Sequence, residues 1–181
     1  MGVPDRDAPF IEQEARGIAA AFAGADVYFG EQATRHVLCE RGRSSRYIHL
    51  GTHGRFRRDN PVFSAIRLGD GYLTLYDLYG MQLPADLITL SGCSTGLNVV
   101  AKGDELLGLV RGLLHSGART LLLTLWDVQD RTAAEAMKSF YLNLQAGSGK
   151  AEGLRRAMIE LRDRHPHPYH WAPFFLTGSA E

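Results

Sequence analysis

Hydrophobic and polar positions repeat along this chain with two periods. From Pro9 to Phe22, Ile11, Ala15, Ile18, Ala19 and Phe22 fall on one face at helical spacing, which predicts a helix ended by Gly24. Asp26–Phe29 reads as a short strand, and Glu31–Glu40 as a second helix stopped by Gly42. Arg46–Leu50 reads as a strand running into Gly51-Thr52-His53-Gly54, followed by a polar loop from Phe56 to Asn60. Pro61–Leu68 and Tyr72–Leu75 flank Gly69-Asp70-Gly71, a hairpin signal with glycines available for positive φ. Thr74 can cap a short helix through Gly80, with Asp77 placed to complete a capping box.

The second half is more apolar. Asp86–Ser91 and Arg119–Trp126 read as strands buried on both faces. Between them, Asp104–Ser116 is helical, with Leu106, Leu109, Val110 and Leu113 on one face and Gly117 at its end. Asp130 is expected to cap a long helix through Ala146, Gly147-Ser148-Gly149 turns the chain, and Ala151–Arg164 forms another helix. His165–His170 reads as a proline-broken loop, and Phe174–Thr177 as a last short strand. Strands that alternate with helices, and are nearly all apolar at the centre, predict an α/β fold with a mostly parallel sheet covered by helices on both faces. With no repeat and no interior boundary, residues 1–181 read as a single domain. The chain opens on a helix with no strand before it, so a piece of a longer protein is expected, with a raw sheet edge.

Composition narrows the function classes. Lys plus Arg and Asp plus Glu are 20 each, a formal net charge of zero, so charge gives no argument for nucleic acid or an acidic membrane as partner. Arginines do thicken locally between Arg41 and Arg67. The two cysteines, Cys39 and Cys93, make no disulfide framework. The start, Met1–Asp7, is polar and unlike a signal peptide, and the longest apolar stretch, Leu121–Trp126, is too short to span a bilayer. A soluble protein of the reducing cytosol is the expectation.

Two loops follow predicted strands of the sheet, on the side where open parallel sheets bind ligands. Gly51-Thr52-His53-Gly54 follows Leu50, and Ser91-Gly92-Cys93-Ser94-Thr95-Gly96 follows Leu90. If the two strands are neighbours, imidazole and thiol share one crevice. The imidazole can then act as base or stabilise the thiolate. Amide groups near Gly54 and Cys93 can face a developing oxyanion, completing an acyl-transfer set. Bland readings compete at this point: a cysteine after a buried strand is commonly a small core residue, and a histidine among glycines a turn residue.

Several blocks together resemble the CHAT family, caspase-like peptidase domains often found beside tetratricopeptide repeats. Tyr47-Ile48-His49-Leu50-Gly51-Thr52-His53-Gly54 is similar to its histidine motif and Leu90 to Gly96 to its cysteine motif. Asn60-Pro61, Ser64, Leu73-Thr74 and Asp77-Leu78 resemble the intervening segment. Gly103-Asp104-Glu105, Gly108-Leu109, Gly117-Ala118, Leu125 to Val128, Phe140-Tyr141, Leu154-Arg155, Ala157, His167-Pro168, Trp171-Ala172 and Gly178 continue the series in order. The resemblance runs from about Glu12 to Gly178. It implies a caspase-like three-layer sandwich and a cysteine endopeptidase with His53 as general base and Cys93 as nucleophile. The backbone N–H groups of Gly54 and Cys93 would form the oxyanion hole. It implies protein or peptide substrates, no cofactor, and tetratricopeptide or other regulatory regions of a parent protein as partners. Two departures stand out: Ser94 occupies a place where the family often has an acidic residue, and the family's usual opening strand is missing. A catalytically silent domain of the same fold, acting in protein interaction, is the alternative.

Other residues carry weaker signals. His49 and His53 are four apart, but they lie on a strand entering a loop, with no third ligand beside them, so no metal site is expected and His49 should face the interior or a neighbouring helix. Cys39 reads as core, and His115 as a favourable cation near a helix C-terminus. Asp127, with Trp126 beside it, follows the apolar strand on the active side of the sheet. It is the candidate for a substrate pocket, where a carboxylate would favour a basic residue before the cut.

Overall fold

The computed structural model describes residues 1–6, 8–55, 63–91 and 104–179. In chain order the elements are α1 (Ile11–Ala19), α2 (Arg35–Gly42), β1 (Tyr47–Gly51), β2 (Gly54–Arg55), β3 (Ala65–Leu68), β4 (Gly71–Thr74), α3 (Leu75–Tyr79) and β5 (Leu87–Ser91). There follow α4 (Asp104–His115), β6 (Thr120–Thr124), α5 (Asp130–Gln145), α6 (Lys150–Arg164), α7 (Pro168–Trp171) and β7 (Phe174–Gly178).

The two most apolar stretches become the two central strands, β5 and β6, in which every residue is buried. The sheet order is β1-β5-β6-β7. The first three strands are parallel and β7 closes the far edge antiparallel. Side chains alternate across this sheet, as strand geometry requires. On one face Ile48, Leu50, Ile88, Leu90, Leu121 and Leu123 pack with Leu38 of α2, Leu78 of α3 and Leu109 and Leu113 of α4. On the other, Leu87 and Leu122 pack with Ile18 of α1, with Phe140, Tyr141 and Leu144 of α5, and with Leu154, Ala157 and Leu161 of α6. The result is the expected three-layer α/β sandwich. Each fully buried Leu or Phe contributes about 2–3 kcal/mol of apolar transfer, so this double core holds the layers together. A small antiparallel sheet, β2-β3-β4, hangs from the first face through Ile66, Leu68 and Leu73.

Local chemistry explains most boundaries. The predicted capping box is present: Thr74 Oγ1 accepts the Asp77 N–H and Asp77 accepts the Thr74 N–H. Elsewhere tertiary contacts overrule the local pattern. Asp130 does not cap α5, whose N-cap is Gln129; its carboxylate instead accepts the N–H of Phe10, the N-cap of α1, and so ties the two helices. The second helix begins at Arg35, capped by Thr34, because Gly30 at φ 51° opens a tight 3-10 turn first. Asp26–Phe29 forms no strand; Phe29 makes only an isolated bridge to Gly2. The proline-broken loop contains α7, which Pro168 enters at its first turn while the His167 ring accepts the Tyr169 N–H.

The opening of the chain also differs from expectation. Met1–Val3 runs extended and parallel beside the end of β1: Gly51 N–H donates to Met1 O and Val3 N–H to Gly51 O, at 2.9 Å each. That segment covers the C-terminal end of the β1 edge and delivers the next residues to the mouth of the sheet. Among the described residues, no helix is long and apolar enough to cross a membrane.

Candidate active site

β1 and β5 are direct parallel neighbours, with Gly51 opposite Ser91. The ladder extends one step further, since Thr52 N–H donates to Ser91 O at 2.9 Å. The histidine loop therefore leaves the same end of the sheet, beside the strand from which the cysteine loop leaves. His53 is two residues beyond Gly51 and Cys93 two beyond Ser91 in sequence. Cys93, with the rest of residues 92–103, lies outside the described residues, as do residues 56–62.

His53 is held from two sides. Thr52 Oγ1 donates to Arg67 O at 2.7 Å, and Arg67 N–H donates back to His53 O at 2.9 Å. Gly54 then enters β2 and pairs with Ile66. The backbone at His53 thus bridges the main sheet and the small one, which fixes where the imidazole leaves the chain. Its side chain is 20% exposed, and Nε2 lies 3.1 Å from Asp5 Oδ1. The same carboxylate is anchored twice more: Oδ1 accepts the Ala8 N–H at 3.1 Å and Oδ2 accepts Arg67 Nη1 at 2.7 Å. Asp130 lies within the electrostatic reach of both His53 and Asp5; burial, the largest effect, pushes its carboxyl above the ordinary carboxylate range.

Sequence reasoning missed Asp5. Its partner stands 48 residues away, so no spacing along the chain reports the contact. It missed Arg67 in the same way.

Gly54 is buried at the start of β2. Trp126 is half-buried and Nε1–H donates to Tyr169 O at 3.0 Å. Asp127, also half-buried, follows the end of β6, which lies two strands from β1 on the same end of the sheet, roughly 10 Å across at ordinary strand spacing. His49 sits within β1 and faces α1: its Nε2 lies 2.7 Å from Glu14 Oε1, with side chains 9% and 2% exposed. Among the described residues, no group of His, Cys, Asp or Glu could hold a metal ion. A cavity of ≈ 450 Å³ lies between α1, α2 and the outer edge of β1, and one of ≈ 500 Å³ between α1, α5 and α6; His53 lines neither.

The family model described as "CHAT domain" matches residues 1–179. Human tetratricopeptide repeat protein 28 is 33% identical over 109 residues, an alignment that covers 59% of this chain and 4% of that protein. The chain therefore spans only a small part of that relative.

Proposed function

The chain belongs to the CHAT domain family, and from that premise we propose that it is a cysteine endopeptidase using His53 and Cys93. The observation that carries this reading is the β1–β5 register, Gly51 opposite Ser91, which starts the two motif loops side by side. In the proposed reaction the Cys93 thiol gives its proton to His53, and the sulfur attacks a peptide carbonyl. The tetrahedral oxyanion is received by the N–H groups of Gly54 and Cys93. His53 then returns the proton to the leaving amine, and water hydrolyses the acyl-enzyme. Asp127 and Trp126 are proposed to line the pocket for the residue before the cut, with a preference for a basic one. Tetratricopeptide regions are proposed as partners, a reading supported by the likeness to tetratricopeptide repeat protein 28.

The test is covalent labelling with a peptide-like electrophile, read by intact mass, on the native chain and on Cys93→Ala, His53→Ala and Cys39→Ala. One adduct that needs Cys93 and His53 and survives loss of Cys39 is expected. Labelling that persists in Cys93→Ala, or none in the native chain, overturns the reading and leaves a silent interaction domain of the same fold.

A further inference from the structure

His53 meets a carboxylate at one ring nitrogen, Nε2. Asp5 Oδ1 is 3.1 Å from Nε2, and Asp5 is itself fixed by Arg67 Nη1 at 2.7 Å and by the Ala8 N–H at 3.1 Å. An ionised carboxylate only accepts hydrogen bonds, so Nε2 must carry the proton and Nδ1 is left as the basic atom. Arg67 holds both ends of this unit, since its backbone N–H also donates to His53 O at 2.9 Å. A carboxylate held by a guanidinium and an amide is restrained beside the ring.

We propose that Asp5 is a positioning residue for His53: it keeps the proton on Nε2, leaves Nδ1 as the nitrogen that takes the Cys93 proton in the proposed reaction, and stabilises the imidazolium that then forms. The proposal rests on the peptidase reading and adds a third member to its dyad. The proton balance is simple. The S–H bond breaks and Nδ1–H forms, giving thiolate and imidazolium; Nε2–H stays on His53 throughout, shared with Asp5. Among the described residues, the charged groups shown near His53 are Asp5, Arg67 through Asp5, and Asp130 from the start of α5. Asp5 alone touches the ring at hydrogen-bond distance among these.

Two readouts separate this role from a structural clip at the chain's start. The first needs no activity: titration of the His53 ring by NMR in a Cys93→Ala background, assigned by His53→Ala. Asp5→Asn should lower the His53 midpoint by about one pH unit, because an opposite charge in contact is lost. Arg67→Met should raise it, since Asp5 then acts unopposed, and Asp5→Glu should keep it near native. The second is labelling of Cys93 in the native background. Asp5→Asn should slow the bond-forming step about tenfold or more while leaving the saturating electrophile concentration unchanged, and Asp5→Glu should recover part of the rate. Thermal melting checks that each variant folds. An unmoved midpoint in Asp5→Asn overturns the proposal, as does a moved midpoint with an unchanged labelling rate. If the native chain is not labelled at all, the peptidase reading falls separately, and the titration still decides the Asp5 contact.

Discussion

Two histidines stand on and just beyond one strand, in different surroundings. His49 and His53 are four residues apart on and just beyond β1, and each meets a carboxylate from the start of the chain. His49 lies inside the strand, against Glu14 of α1 at 2.7 Å, with side chains only 9% and 2% exposed. The Tyr141 ring packs edge-on against it at 5.6 Å, and the Tyr141 hydroxyl is shared with Thr89 at 2.8 Å. His53 lies past the strand end, against Asp5 at 3.1 Å, with 20% and 25% exposed. The same residue types thus make a sealed link between layers in one place and a partly exposed pair at the mouth of the sheet in the other. What separates them is the position along the strand. An interior residue is covered by a helix, whereas one beyond the last ladder bond faces the mouth of the sheet.

That contrast predicts opposite phenotypes. The largest effect is on chemistry: His53→Ala should slow Cys93 labelling about a thousandfold, the scale of a lost proton-transfer partner, with the urea midpoint nearly unmoved. Equal labelling in His53→Ala and the native chain would break the comparison. Next is His49→Ala, which strands the buried Glu14 carboxylate. It should cost about 3–5 kcal/mol in urea unfolding while the folded fraction still labels normally. Asp86→Asn removes the Lys150 partner, a 2.7 Å pair away from the mouth, and should cost about 2 kcal/mol at neutral pH. The Lys150 hydrogen bond, the largest effect, holds the Asp86 carboxyl below its ordinary 3.8. A depressed carboxylate contributes stability above its unfolded value and loses it as pH falls through the lower folded value. The gap between native and Asp86→Asn should therefore close as urea curves are taken below pH 3.8. The smallest effect is Tyr141→Phe. Loss of the Thr89 hydrogen bond beside His49 should cost about 1 kcal/mol and leave labelling untouched.

The legible parts of the fold share a cause. Leu87 to Leu90, apart from Thr89, and Leu121 to Leu123 are apolar on both alternating faces, as burial between two helix layers requires. Thr74 and Asp77 are three apart and meet within one turn, so their capping box is visible in the sequence. The failures share a cause too. Asp130 looked like the cap of its own helix, yet it serves Phe10 across 120 residues. Met1–Val3 is too short to read as a strand and is ordered by pairing with Gly51. At the candidate site, His53 was named from its glycine setting and family motif, while its contacts with Asp5 and Arg67 were not legible, because nothing near those residues in sequence names their partner. Cys93 was named from its motif and lies outside the described residues.

By itself, the sequence determined the layers and the mostly parallel sheet, because these follow from periodicities and short spacings that act within one element. The tertiary structure alone decided that β1 lies beside β5, that Glu14 closes over His49, and that Asp5 and Arg67 meet at His53. Such contacts join residues 35 to 62 apart, and only the folded packing of the layers sets the distance between them.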